Sequence, residues 1–168
     1  ANPRYIALDM LAQGEHDPRA RCVLITTSQP LAEEVMRELK ASSSEEKAVI
    51  LVTEKVEEAL DLANQYSPEH LEVLVKEPEA LLEGIKNAGS IFLGEYTPVA
   101  LGDYASGTNH VLPTGGMAKV YSGLSVRDFL KTMSYQKFDR EALKELADVV
   151  TTLAELEGLR AHAESVRK

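Results

Sequence analysis

Four histidines, His16, His70, His110 and His162, are the side chains best suited to proton or metal chemistry. Imidazole titrates near neutrality and is the commonest metal ligand. Each has a second polar group nearby in sequence. Glu69 and His70 are adjacent behind Pro68, and a carboxylate beside an imidazole can move protons. Gln13 and His16 are three apart at a helix end and share a face if the last turn continues through Gly14. Asp103 and His110 lie in GDYASGTNHVLPTGG, Gly102 to Gly116, among four glycines. Glycines let a backbone turn with positive φ and approach a ligand closely. Glu157 and His162 are five apart, on different faces of a regular helix. Each placement also suits plain structure: a polar helix end, a proline-led turn, a polar surface loop. Oxygen and nitrogen donors without thiolate suit a catalytic zinc site, and manganese or cobalt would satisfy the same donors. The spacing alone matches no known metal motif. The chain has no HExxH, no CxxC, no P-loop and no GxGxxG that would mark a dinucleotide site.

The elements that must position these residues are legible from periodicity. Asn2 and Pro3 read as N-cap and first residue of a helix whose apolar face is Ile6, Ala7, Met10 and Leu11, ending near His16. Strands are expected over Cys22–Thr27, Ala48–Thr53, Leu71–Val75 and Ser90–Leu93. The first two read as buried. Helices are expected over Pro30–Lys40, Glu54–Tyr66 and Pro78–Ala88, the last stopped by Gly89. A short Ser-rich break, Ala41 to Ser44, follows the first of these helices. The alternation predicts an α/β fold, a mostly parallel sheet with helices on both faces. Residues 95–123 show no sustained period and read as a long functional loop that ends a domain over 1–123. Helices over Leu124–Lys131 and Asp139 to about Val166 then form a C-terminal tail, 124–168.

Bulk properties narrow the class. The chain has 168 residues, 44% of them hydrophobic and 27% charged, which is a globular composition. A net charge of -9 argues against nucleic acid or an anionic membrane surface as partner. No apolar run approaches a membrane span. Cys22, the single cysteine, reads as a buried thiol in a strand, which suits a reducing, cytoplasmic setting. The N-terminus lacks the pattern of a signal peptide, and no initiator methionine is present, so an excised or processed piece is expected.

Several irregular runs carry a resemblance. LDMLAQGEHDP, SPEHLEVLV, NAGSIFLGEYTPVALGDYASGTNHVLPTGG, SGLSVRDFLK and the tail LAELEGLRAHAESVRK resemble histidinol dehydrogenase over nearly the whole chain. The resemblance implies a zinc-containing enzyme of histidine biosynthesis. Its activity would be oxidation of L-histidinol to L-histidine through the aldehyde, by two hydride transfers to NAD. It carries Gln13, His16, Asp103 and His162 onto zinc ligands that also contact substrate. Glu69 and His70 fall on the catalytic acid–base pair, with His70 touching substrate, and His110 and Glu157 fall on substrate-contacting positions. A homodimer with exchanged tails is implied, in which His162 and Glu157 complete the partner's site. The family's NAD-binding part lies upstream of the matched runs, so this chain is expected to be a C-terminal portion without it. Relatives also carry a longer helical excursion where this chain has Ala41 to Ser44. The alternative expectation is an inactive α/β fragment that keeps the ligands and self-associates. A generic ligand-binding α/β module would leave the long loop match unexplained.

Overall fold

The computed structural model describes residues 1–17, 19–42, 48–112 and 114–167. They divide into two compact units, Ala1–Phe129 and Leu130–Lys168. In the first, helix α1 (Pro3–His16) precedes strand β1 (Cys22–Thr26), helix α2 (Gln29–Ala41), strand β2 (Ala48–Val52) and helix α3 (Val56–Tyr66). Strand β3 (His70–Val73), a 3-10 helix (Pro78–Gly84), strand β4 (Ser90–Leu93) and helix α4 (Val99–Tyr104) follow, then a 3-10 turn, Val126–Phe129. The second unit holds helices α5 (Arg140–Leu156) and α6 (Arg160–Ser165). This is the expected mixed α/β fold with parallel strands and a helical C-terminal end.

Local chemistry fixes the ends of α1 and α2. The Asn2 side chain accepts from the Arg4 N–H at 2.9 Å, and Pro3 stands at the first helical position. Ser28 caps α2 by accepting from the Leu31 N–H. Ala41 ends α2 and Ser42 caps it, while Ser43 and Ser44 lie outside the described residues. The core forms where α1 and α2 press on the first strand pair: Ile6, Ala7, Val35 and Leu39 are buried, with Met10, Leu24 and Ile50 packed against them. Cys22 is buried as expected, and its thiol donates to the Met10 carbonyl at 3.1 Å.

The strands form two parallel pairs rather than one continuous ladder. β1 pairs with β2 in the register Cys22↔Ala48, and β3 with β4 in the register His70↔Ser90. β2 is less buried than its apolar run suggests, with Val49, Leu51 and Val52 exposed. Such a run predicts cover on both faces, but the described helices cover one.

Four expectations are corrected. The segment Pro78–Ala88 is a 3-10 helix only as far as Gly84. Asn64 of α3 stops it: its amide donates to the Gly84 carbonyl, and its oxygen accepts from the N–H groups of Lys86 and Asn87. The loop 95–123 contains α4, which Gly102 and Asp103 hid from a propensity reading. Leu124–Lys131 forms only the turn Val126–Phe129, because Val126 and Phe129 are exposed and an unpacked helix is costly to nucleate. The long C-terminal helix breaks at Gly158, whose φ is +78°. There the Leu159 N–H bonds the Ala154 carbonyl and the Gly158 N–H bonds the Glu155 carbonyl, a Schellman stop. Among the described residues no helix is long and apolar enough to cross a membrane.

Leu39 is 1% exposed, so truncating it removes buried apolar surface and leaves a cavity. Leu39→Ala is expected to lower unfolding stability by about 2–4 kcal/mol. Urea titration followed by circular dichroism should show an earlier midpoint with an unchanged slope.

Candidate functional site

The first unit gathers residues from four stretches of chain into one cleft of about 530 Å³. Gln13, His16, Glu69, His70, Asp103 and His110 line it. Gln13 and His16 stand on the last turn of α1, which does continue through Gly14. Glu69 precedes β3 and His70 begins it. Asp103 lies on α4 and His110 on the loop beyond it. Tyr104 also lines the cleft; nothing in its spacing singled it out. Glu157 and His162 belong to the second unit, Glu157 as the cap of α5 and His162 on α6.

The turn that delivers Glu69 and His70 is tightly specified. Ser67 ends α3 in the left-handed region at φ 55°, buried, with its hydroxyl donating to the Asn64 carbonyl. Such a conformation costs a non-glycine residue about 1 kcal/mol or more. The Glu69 carbonyl accepts from the Ser90 N–H at 2.8 Å, extending the β3–β4 ladder by one rung. A Cβ on Gly89 would stand 2.6 Å from that carbonyl. Gly89 is therefore a close-approach residue beside Glu69, not the helix stop its position suggested. The Glu69 carboxylate accepts from the hydroxyl of Thr114 at 3.2 Å, and Thr114 is 2% exposed. Sequence reasoning missed Thr114, although it sits inside the run that marked the loop.

His70 packs its ring against Phe92, with centroids 5.8 Å apart. Burial pushes its pKa below the ordinary imidazole value, opposed by the charges of Glu69 and Asp103 and assisted by His16. A neutral imidazole able to take a proton is the result. Phe92 also supports α4: a Cβ on Gly102 would meet its ring at 2.7 Å. Gly102 thus serves packing of α4 on β4, rather than backbone approach to a ligand.

The donors at the α1 end fit a divalent cation. Gln13 Oε1 is buried and has no hydrogen-bond partner among the described residues, a state costing about 1–3 kcal/mol if nothing satisfies it. His16 Nε2 lies 3.6 Å from Asp103 Oδ2. Two donors on one tetrahedral zinc stand about 3.4 Å apart, given bonds of roughly 2.1 Å. Among the described residues no group of three or more His, Cys, Asp and Glu forms a metal cluster. A cation here therefore depends on the Gln13 amide oxygen as third donor.

A second polar cluster borders the cleft, and sequence reasoning passed over it. Glu72 accepts from the Val99 N–H at 3.2 Å, and Asp9 lines the same cavity. Burial first, then the Asp9 charge, pushes the Glu72 pKa up to about 7; burial also raises Asp9, with Glu72 opposing. A signal existed for both. Asp9 is four residues before Gln13 on α1, and Glu72 is two after His70 on β3, so each shares a face with a candidate site residue.

Comparison with known proteins shows the family and the fold. The family model for histidinol dehydrogenase matches residues 1–168. Histidinol dehydrogenase of Methanocaldococcus jannaschii is 52% identical across all of this chain and 42% of the relative. That of Archaeoglobus fulgidus is 51% identical, again over all of this chain and 42% of the relative. The crystal structure of histidinol dehydrogenase from Elizabethkingia anophelis superposes with a TM-score of 0.92 at 33% identity, covering 99% of this chain and 41% of that one. The chain spans about two fifths of the length of the curated relatives it matches.

The Glu72 environment sets a pH dependence. Its charged neighbour is Asp9 on α1, while the facing residue of β4 is Phe92 and the first turn of α4 contributes only the Val99 N–H. The folded chain binds the Glu72 proton more tightly than the unfolded chain, whose carboxyl has the ordinary value of 4.5. The stabilisation is complete below that value and is lost as pH rises through about 7. Relative to Glu72→Gln, the wild type should lose on the order of 1–2 kcal/mol across this window after solvent screening. Denaturant midpoints measured at intervals across the window test this, and parallel curves for the two proteins would contradict it.

Proposed function

The chain belongs to the histidinol dehydrogenase family, and on that premise we propose that it supplies the substrate, metal and acid–base groups for oxidation of L-histidinol to L-histidine. The observation that carries this reading is the convergence of Gln13, His16, Glu69, His70, Asp103 and His110 on one cleft. Scattered surface residues do not assemble in this way from α1, β3, α4 and the following loop. The setting is histidine biosynthesis in the cytoplasm, with NAD as hydride acceptor. NAD rests on the family alone: the sequence carries no dinucleotide fingerprint.

Gln13, His16 and Asp103 would hold zinc, with His162 of a second copy's tail as the remaining ligand. When bound, zinc supplies a fixed positive centre that anchors the nitrogens of the amino alcohol. Every proton movement falls to this chain's own side chains. His70, neutral through burial, takes the alcohol proton while the carbon-bound hydrogen leaves as hydride to the acceptor. The product is the aldehyde. Glu69, oriented by Thr114, removes a proton from the water that adds to the aldehyde carbon; the resulting hydrate anion gives up a second hydride to the acceptor, and the carboxylic acid so formed releases its proton to solvent to leave the carboxylate. His110 on the loop and Glu157 on the exchanged tail contact the substrate.

A second reading has its own support. On α5, Leu146, Val149, Val150, Leu153 and Leu156 are all exposed and recur at helical spacing along one face. With the chain spanning two fifths of its relatives, an inactive fragment that self-associates through its tail would show the same face.

Zinc titration against a chromophoric chelator, with histidinol present, tests the first reading. Wild type should bind one equivalent, and His16→Ala and Asp103→Ala should each weaken binding by at least about tenfold, beyond the usual effect of an outer-shell change. In an assay of histidinol-dependent NAD reduction, His70→Ala should lower kcat by about 10²–10⁴-fold with little change in zinc affinity. A dimer by light scattering that reduces no NAD under any condition would favour the second reading.

A further inference from the structure

Glu69 is held at both ends, and the residue that holds its tip belongs to the loop beyond α4. At the backbone end, the Glu69 carbonyl accepts from the Ser90 N–H at 2.8 Å. At the tip, Thr114 donates its hydroxyl to Oε2 at 3.2 Å. Which side chain positions the other follows from how each is fixed. Thr114 is buried, and its backbone is committed on both sides. Its N–H donates to the Leu112 carbonyl at 2.6 Å, and its carbonyl accepts from the Met117 N–H at 2.7 Å. The second bond closes a turn whose central residues, Gly115 and Gly116, have φ of +52° and +82°. That is the type I′ pattern, which glycine takes at least cost. The start of this segment is pinned as well. The Leu124 N–H donates to the Val111 carbonyl at 2.9 Å, and a Cβ on Gly123 would collide with the buried Leu112 side chain. Thr114 thus offers its hydroxyl from a fixed backbone through a stiff, β-branched side chain. The Glu69 carboxylate ends a longer and freer one. Thr114 is the anchor and Glu69 the group anchored.

A threonine hydroxyl has one proton to donate, and here it goes to Oε2. Among the described residues no hydrogen bond reaches the other oxygen, Oε1, and Glu69 lines the cleft. We propose that Thr114 is the positioning residue for Glu69: its hydroxyl holds Oε2 and leaves Oε1 as the oxygen that takes a proton from water in the second half of the reaction. As Oε1 takes that proton, the water oxygen bonds to the aldehyde carbon and the carbonyl electron pair moves onto its oxygen. The hydrate anion then passes its carbon-bound hydrogen as hydride to the nicotinamide acceptor. The first half moves the alcohol proton to His70 and needs no water, so it does not depend on Thr114. This division of labour rests on the proposed function; the hold on the carboxylate does not.

Two replacements separate the hydroxyl from the shape around it. Thr114→Val keeps the branched side chain and removes the donor, while Thr114→Ser keeps the donor. In the full chain, with glutamate carbon-13 labelled at the side-chain carboxyl, the Glu69 signal is assigned by its loss in Glu69→Gln. That signal should move in Thr114→Val and keep its wild-type position in Thr114→Ser. In single turnovers with histidinol and NAD, Thr114→Val should slow reduction of the second NAD by about 10–100-fold, part of what a well-placed base supplies, and leave the first within about threefold. Thr114→Ser should restore both. Should Thr114→Val fail to fold by circular dichroism, Thr114→Ala takes its place. An unmoved Glu69 signal in Thr114→Val, or a Thr114→Ser chain as altered as Thr114→Val, would overturn the hold on Glu69. Equal slowing of both reductions would overturn the division of labour and leave the proposed function intact. A wild-type chain that reduces no NAD yet shows the carboxyl pattern would remove the chemical role and leave the hold standing.

Discussion

A buried amide oxygen with no donor is the constraint around which the first unit is arranged. Gln13 Oε1 has been withdrawn from water and given nothing in return among the described residues, a cost of about 1–3 kcal/mol in a chain of marginal stability. Most buried polar groups that a fold does not need are either paired or replaced. Gln13 lines a cleft where an imidazole nitrogen and a carboxylate oxygen stand 3.6 Å apart. The arrangement is explained if a cation completes it, since an uncharged amide oxygen, an imidazole and one carboxylate are together undemanding at modest charge. The same three groups without a cation would leave an unpaired acceptor beside a weak, half-exposed ion pair.

Apolar packing supports the elements that carry those donors. Phe92 is the pivot: its ring supports His70 on the neighbouring strand and receives Gly102 of α4 at a distance that excludes a Cβ. One aromatic side chain thereby packs against both His70 and the helix that carries Asp103. On the other side, α1 is held by Ile6 and Ala7 against Val35 and Leu39 of α2. Burial raises the pKa of both Asp9 and Glu72.

How much of this was legible depended on how local its cause was. Asn2 and Pro3 start α1 through their own geometry, and Ser90–Leu93 is a strand by composition, so both were readable from sequence. The end of the 3-10 helix at Gly84 was not, because it is set by Asn64, twenty residues away. α4 was hidden for a related reason. Gly102 argues against a helix by propensity, yet it is there because Phe92 leaves no room for a side chain. The candidate site was legible residue by residue through the resemblance, and the cleft contains all of its members that lie in the first unit. Thr114, Asp9 and Glu72 were passed over because they act on other side chains, and a reading that seeks chemistry finds groups that face a substrate before groups that face each other.

The tail shows how a single backbone feature can decide what a ligand set is able to become. A continuous helix through Glu157 and His162 would place them on different faces, five residues apart, with no common direction. The Schellman stop replaces that geometry. Glu157 becomes the cap of α5, with its backbone tied to Leu153, and His162 rides on a separate short helix whose Ala163 is buried. The relation between the two side chains is then set by the turn at Gly158, at φ +78°. Only glycine takes that conformation at little cost. In the proposed reading these two residues serve one site together, so the turn, rather than the helix on either side of it, is what makes a shared task possible.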